Sequence, residues 1–193
     1  ETTTKQAQGL FVVLPDKEVT TSLAEPFEGS NLYYSGAGDD IDHSMGRSVT
    51  LPAGVVTLAA KANYQIEFEW DYAYVTVNGT PVPTSLSTAS NPNGQNFGNG
   101  ITGSSGGAWV DLTADLSAYA GQTVTIGFRY WTDGAVVEQG FMVDAISITG
   151  QPFDGAESAA GWAYAGYVVS TGIETEFFFN AYVAEFRQYR TYD

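Results

Sequence analysis

Short segments in which apolar and polar residues alternate constrain the fold of this 193-residue chain more than any other feature. Residues 65–70 and 123–130 place an apolar side chain at every second position, which is the period of a strand with one buried face. The dipeptide Asn78-Gly79 lies between two further strand-like segments and is a strong signal for a two-residue hairpin. Several short strands joined by turns predict an all-β fold, and we expect a jelly-roll β-sandwich.

The pattern along the chain predicts three parts. Residues 1–20 combine a short apolar run with charged residues, and we interpret them as a linker or entry strand. Residues 21–150 form the predicted sandwich. A turn-rich segment at residues 151–155 marks a boundary, so residues 151–193 are predicted to start a second β domain that packs on the first. A segment this short rarely folds alone.

Residues 85–107 are rich in Ser, Asn and Gly and have no strand pattern. Such a long segment without regular structure is uncommon inside a compact domain, and it is usually functional or mobile. A tolerated surface insertion is the interpretation that we favour over a binding loop.

The chain is strongly acidic, with 22 Asp and Glu residues against 7 Lys and Arg and a formal net charge of -15. This charge repels phosphate groups, which argues against nucleic acid and anionic membranes as partners and favours cations. The chain has no Cys and a single His, His43, so disulfides, thiolate metal sites and a His-Glu-x-x-His zinc site are excluded. No segment is long and apolar enough to predict a membrane span.

The densest acidic cluster consists of Asp39, Asp40 and Asp42, which follow a glycine-containing turn. Clustered carboxylates suit calcium, which takes about six to eight oxygen ligands in irregular geometry. The residue order does not match a helix–loop–helix calcium loop, so a site here needs ligands assembled in three dimensions. A solvated acidic turn that binds nothing is the alternative.

Two further carboxylates, Asp71 and Asp144, occur within apolar segments. A carboxylate in a buried strand is costly unless it is paired or bound to a metal. Because only 7 basic residues are available, a bound cation is the more economical explanation. A salt bridge from Arg129 to one of the two aspartates is the rival explanation.

A weak internal similarity adds Glu28 to the predicted metal ligands. The segment Phe27-Glu28-Gly29-Ser30 is similar to Ala156-Glu157-Ser158, near the predicted boundary. Each segment could place one carboxylate at the entrance of a sandwich. We therefore predict calcium ligands among Asp39, Asp40, Asp42, Asp71, Asp144 and Glu28.

Aromatic residues also allow a carbohydrate-binding interpretation. The side chains that could stack against sugars are Tyr33, Tyr34, Trp70, Tyr72, Trp109 and Trp131. Core packing is expected to account for most of them, because they alternate within predicted strands.

Several strings resemble the jelly-roll module that follows the catalytic domain in immune inhibitor A-like secreted metallopeptidases. The early strings are Tyr34-Ser35-Gly36-Ala37-Gly38-Asp39-Asp40 and Tyr72-Ala73-Tyr74-Val75. The later strings occupy residues 115–122, 128–134 and 140–144. The tail at residues 179–193 is similar to the beginning of that family's next C-terminal β domain. The resemblance covers most of residues 14–193.

The resemblance implies a fold, a location and a parent activity. Members of this family are secreted, calcium-stabilised zinc endopeptidases, and this chain resembles only their non-catalytic, MAM-like part because it lacks the zinc-binding helix. Family aspartates match Asp39, Asp40 and Asp144. Many members have Asp-Asp-Ile where this chain has Asp144-Ala145-Ile146, so a ligand role for the second position is not implied.

The sequence thus predicts a calcium-binding, non-catalytic accessory region of a secreted, extracellular zinc metallopeptidase. Its partners would be the catalytic domain or the protein substrate. Two alternatives remain open. One is a carbohydrate-binding or adhesive module, and the other is a structural subunit that assembles through its C-terminal strands.

Overall fold

The computed structural model describes residues 9–158 and 161–185. These residues are almost entirely β, as predicted, and the described residues contain one short 3₁₀ helix, Ser117–Tyr119. The strands in chain order are β1 (Gly9–Val13), β2 (Lys17–Ser22), β3 (Leu32–Tyr34), β4 (Asp42–Thr50), β5 (Thr57–Ile66), β6 (Tyr72–Val77), β7 (Thr80–Pro81), β8 (Gly103–Ser104), β9 (Val110–Asp115), β10 (Thr123–Trp131), β11 (Gly140–Ile148), β12 (Ala163–Ala165), β13 (Val168–Ser170), β14 (Ile173–Phe178) and β15 (Ala181–Glu185). None of the helical structure in this part of the chain is long and apolar enough to cross a membrane.

Residues Leu23–Gly172 form one compact unit, a sandwich of two antiparallel sheets. One sheet has five strands in the order β12-β4-β10-β6-β7. The other has the order β13-β3-β11-β5-β8, and β9 also pairs with β5. The core between the sheets takes side chains from both, so the predicted all-β sandwich is confirmed.

The alternation in β10 is confirmed residue by residue. Val124, Ile126 and Phe128 are buried in the core, whereas Thr123 and Thr125 are exposed. This strand lies at the centre of the five-stranded sheet, with β4 on one side and β6 on the other. Its outward-facing residues therefore define the middle of that sheet's outer surface.

The predicted Asn78-Gly79 hairpin is also confirmed. Val77 pairs with Thr80, and the two residues between them have φ angles of 52° and 79°. Positive φ at both positions is the conformation of a type I′ turn, which Asn and Gly adopt at low cost.

The strand predicted across residues 65–70 ends earlier than its alternation indicates. β5 stops at Ile66, and a tight turn follows in which the backbone N–H groups of Trp70 and Asp71 both approach the Glu67 carbonyl. Glu69 has a positive φ of 66°, which a strand does not permit. Phe68 and Trp70 are consequently 66% and 40% exposed, instead of facing the core.

Residues 85–107 pair with both sheets, with β6 through Ile101 and with β5 through β8. The backbone of Ile101 exchanges two hydrogen bonds with Ala73. The side chain of Asn96 is buried and holds the loop together, because its amide donates to the carbonyls of Thr88 and Ser90. This segment is therefore an ordered part of the sandwich.

The boundary predicted near residue 150 falls inside the sandwich. β12 pairs with β4, and β13 pairs with β3, so the strands after residue 150 extend both sheets. Asp154 is buried and accepts hydrogen bonds from Tyr33 and Trp162. Residues 151–172 therefore belong to the first unit because their pairing partners lie early in the chain.

The described residues 9–22 and 173–185 belong to a second compact unit. In it β1 pairs with β15, and β2 pairs with β14. Residues 9–20, predicted as a linker or entry strand, thus contribute two strands whose partners follow the sandwich in the chain. Residues 1–8 and the end of the predicted tail, residues 186–193, lie outside the described residues.

Candidate metal centre

Three loops meet at one end of the sandwich. They join β3 to β4, β5 to β6, and β10 to β11. The antiparallel pairing of these strands places the end of β10 beside the starts of β4 and β6. The Asp40 N–H donates to the Asp133 carbonyl at 2.6 Å, and the Thr132 hydroxyl donates to the Gly38 carbonyl at 2.8 Å.

The carboxylates of Glu67, Asp71 and Asp133 converge at this end. One ligand atom from each lies within 4.8 Å of those from the other two. Asp71 is 1% exposed, and its Oδ1 accepts a hydrogen bond from the backbone N–H of Asp133 at 2.9 Å. Across residues 9–158 and 161–185, none of the three carboxylates forms a salt bridge with a basic side chain.

The electrostatics of the cluster favour an added positive charge. Burial raises the pKa of Asp71 to about 7, and the negative charges of Asp133, Glu67 and Asp39 act in the same direction. The hydrogen bond from Asp133 opposes this rise. The pKa of Glu67 is raised as well, first by desolvation and then by Asp133 and Glu138. A cation would relieve both the desolvation and the repulsion.

Among the predicted ligands, Asp71 is inside this group, and Asp39 and Asp40 lie on the adjoining loop. Asp39 is close enough to act on Asp71 electrostatically. Asp40 has a positive φ of 53°, and its backbone is tied to Asp133. The acidic turn is thus built into the same end of the sandwich as the buried carboxylate.

The structure places Asp42 in a different environment. Its two carboxylate oxygens accept hydrogen bonds from Arg129, at 2.6 Å from Nε and 2.8 Å from Nη2. The sequence left Arg129 as a rival partner for Asp71 or Asp144, but this bidentate pair uses Arg129 on the outer sheet face instead.

Asp144 and Glu28 lie at another place in the sandwich. Asp144 is fully buried, and its carboxylate accepts hydrogen bonds from the backbone N–H groups of Phe27, Glu28 and Ala145. Desolvation raises its pKa, and these three hydrogen bonds oppose the rise. These backbone donors offset part of the cost of burying Asp144, and its role as a calcium ligand stays a prediction.

The weak internal similarity has a structural counterpart near Asp144. The Glu28 side chain lies against Gly155, and the Glu157 side chain lies against Gly29. The Glu157 carboxylate accepts backbone hydrogen bonds from Ser30 at 2.6 Å and Asn31 at 2.8 Å. Each of the two similar segments therefore contributes a glutamate that contacts the other.

Sequence reasoning missed Glu67 and Asp133. Glu67 alternates with apolar residues, a pattern that predicts a solvent-facing side chain, but the turn after Ile66 directs it toward Asp71. Asp133 follows the last residues of β10. Their positions in the chain could have identified them. Both acids follow closely after a strand, β5 or β10, and Asp71 precedes β6, and these strand ends meet at one end of the sandwich.

The chain is similar to a known domain family and to parts of two longer bacterial proteins. The family described as "Immune inhibitor A-like, MAM domain" matches residues 1–172. The chain is 40% identical over 166 residues to the pre-pro-metalloprotease PrtV of Vibrio cholerae serotype O1, which covers 83% of this chain and 18% of that protein. It is 31% identical over 173 residues to immune inhibitor A of Bacillus thuringiensis subsp. alesti, which covers 84% of this chain and 24% of that protein. The chain belongs to the immune inhibitor A-like MAM domain family.

Proposed function

We propose that this chain is a non-catalytic accessory region of a secreted metallopeptidase, and that it binds calcium at the Glu67–Asp71–Asp133 cluster. The observation that carries the proposal is the buried Asp71 carboxylate, which shares its site with two further acids and no basic partner among the described residues. Calcium would replace the missing counter-charge.

The donor set supports calcium over other metals. All three side chains offer carboxylate oxygens, the ligands of hard cations, whereas zinc and copper sites prefer imidazole or thiolate. The chain has no Cys, and its single His43 is held by the Ser35 carbonyl at 2.7 Å. Backbone carbonyls and water commonly complete the coordination of calcium, so three carboxylates are a sufficient protein contribution.

The family relationship supports the accessory role. Both relatives carry metalloprotease or immune inhibitor names, and the chain spans 18% and 24% of their lengths. One histidine cannot form the His-Glu-x-x-His motif, so a zinc site would have to lie in a catalytic domain elsewhere in the parent protein. The partners we propose are that catalytic domain or the protein substrate, in an extracellular setting.

Calorimetric titration of calcium into the chain tests the metal site. We expect saturable binding by the unmodified protein and at least about tenfold weaker binding by Asp71→Asn, because the amide removes the buried charge while keeping the side-chain size. Asp111→Asn is the matched control, since Asp111 is an exposed aspartate paired with Lys61. Equal affinities in the Asp71 and Asp111 variants would contradict the assignment.

A further inference from the structure

The outer face of the five-stranded sheet carries a groove of about 390 Å³. It runs over β4, β10 and β6, beside the ordered loop at residues 85–107. Its lining includes Asp42, Ser44, Gly46, Thr76, Gly127 and Arg129. None of these residues belongs to the Glu67–Asp71–Asp133 cluster.

Two facing glycines form the low part of the groove. Gly46 and Gly127 are paired across the β4–β10 ladder, so two neighbouring positions on the outer face have no side chain. A Cβ atom at Gly127 would come within 2.8 Å of the Thr76 hydroxyl and 2.9 Å of the Met45 carbonyl. These protein atoms occupy the space beside Gly127, so the close packing of β4, β6 and β10 is what requires a glycine there.

One end of the groove presents a fixed pair of charged groups. The Asp42 carboxylate and the Arg129 guanidinium are joined by two short hydrogen bonds, and both side chains are partly exposed. The guanidinium also stacks on Phe97, with its carbon 4.7 Å from the ring centroid. Donor and acceptor atoms therefore lie side by side in a preset arrangement, which suits two adjacent hydroxyl groups of a ligand.

An aromatic surface adjoins this charged pair. Phe97 is 50% exposed and packs edge-on against Trp131, with ring centroids 5.2 Å apart. The hydrogen bonds of the neighbouring Asn96 fix the loop that carries Phe97. An exposed ring held in this way offers an apolar surface for the C–H face of a sugar without a large ordering cost.

The same features disfavour peptide and anionic ligands. The backbone groups beneath the groove are used in the β4–β10 and β10–β6 ladders, so they cannot pair with an added peptide strand. Asp42 neutralises Arg129, and the chain carries a net charge of -15, which repels anions. A neutral polyhydroxylated ligand matches the remaining chemistry: hydroxyls, one ion pair and an aromatic surface.

We propose that this groove binds a neutral oligosaccharide, with sugar hydroxyls on Asp42 and Arg129 and a sugar ring against Phe97. The site is independent of the calcium cluster, and its ligand is a glycan instead of the peptidase's protein substrate. The accessory region would then hold its parent enzyme on a glycan-bearing surface.

The test is titration of the 193-residue chain with cellohexaose, xylohexaose, mannohexaose and chitohexaose. Binding is measured by tryptophan fluorescence and by calorimetry. We expect saturable binding of at least one of them. Phe97→Ala should weaken that binding at least about tenfold, and Ser44→Phe, which fills the groove, should abolish it. Phe153→Ala is the matched control, because Phe153 is 59% exposed and precedes Asp154, which pairs with Ile146 in the other sheet, whereas Phe97 contacts Arg129 of the groove lining.

Thermal unfolding of each variant checks that it remains folded. The two groove variants change different features of the site, because Phe97→Ala removes the aromatic surface and Ser44→Phe fills the groove. Absence of binding for all four oligosaccharides up to about 10 mM would overturn the proposal, since weaker affinity is below that of specific recognition. Binding that Phe97→Ala and Ser44→Phe leave unchanged would also overturn it. Binding of peptides from a casein digest in place of the oligosaccharides, lost in Ser44→Phe, would reassign the groove to peptides.

Discussion

Asp71 and Asp154 are both buried, but their carboxylates have different partners. Asp154 accepts hydrogen bonds from Tyr33, Trp162, Arg47 and the backbone of Ala156. Asp71 accepts one hydrogen bond from the described residues, and the charged groups that act on it are acids. The first aspartate is satisfied by protein donors, whereas the second is the one that a cation would stabilise.

The pH dependence of stability without calcium should report Asp71. Burial raises the pKa of Asp71 to about 7, whereas an unfolded aspartate titrates near pH 4. The native state therefore binds more protons between these values, and stability falls as the pH rises from about 5 to about 8. In urea unfolding with a chelator present, Asp71→Asn should remove on the order of 2 kcal/mol of this fall.

Asp111→Asn serves as the control for that experiment. Asp111 is exposed, forms an ion pair with Lys61 and does not belong to the cluster. The Asp111→Asn variant should show the same change of stability with pH as the unmodified protein. The same slope in all three proteins would mean that Asp71 does not carry a raised pKa.

Removal of the Asp154 carboxylate should be among the most damaging changes to the sandwich. Asp154→Ala deprives the Tyr33 hydroxyl, the Trp162 N–H and Arg47 of a buried acceptor, so we expect a loss of about 3–5 kcal/mol in urea unfolding. Asp111→Ala breaks an exposed pair with Lys61 and should cost less than about 1 kcal/mol. Comparable losses in the two variants would contradict the role given to Asp154.

At the scale of elements, the loop at residues 85–107 depends on Asn96. Its side chain is buried, donates to Thr88 and Ser90, and accepts from the Gly98 N–H. Asn96→Ala should cost on the order of 2 kcal/mol and speed hydrogen exchange in residues 88–101, because these bonds close the loop. Asn93→Ala removes one exposed hydrogen bond to Glu69 and should leave exchange there unchanged. Equal exchange in both variants would show that the loop is held by other contacts.

Local sequence pattern predicted some elements well and others poorly, for physical reasons. The β10 alternation and the Asn78-Gly79 hairpin depend on neighbouring residues, so they could be recognised directly. The end of β5 could not be recognised, because the alternation of apolar and polar residues continues to Trp70 although the chain already turns at Glu67. The pairing of β12 with β4 joins segments more than a hundred residues apart, and a pattern confined to one segment does not encode its partner.

The candidate metal centre was likewise predictable only in part from local sequence pattern. Asp71 was predicted because a carboxylate in an apolar context is unusual, and the structure brings it to Glu67 and Asp133. Asp42 was predicted from its neighbours in the chain, yet strand pairing places it opposite Trp131 and within reach of Arg129. Residue type thus predicted which carboxylates are unusual, and topology decided which residues lie together.

At the scale of the whole molecule, family membership and the acidic charge lead to one account. The immune inhibitor A-like MAM family matches residues 1–172, and the sandwich of Leu23–Gly172 lies within that range. The 193-residue chain has a net charge of -15, and part of it is concentrated where three loops carry Asp39, Asp40 and the Glu67–Asp71–Asp133 cluster. We propose that calcium at this end stabilises the folded chain.

Scanning calorimetry of the 193-residue chain in calcium and in chelator, at matched ionic strength, tests that claim most directly. A ligand at about a hundred times its dissociation constant adds about 2.7 kcal/mol, so the unfolding midpoint should rise by about 5 °C or more in calcium. Asp71→Asn should lose most of this rise. Identical midpoints in calcium and chelator for the unmodified chain would contradict the account.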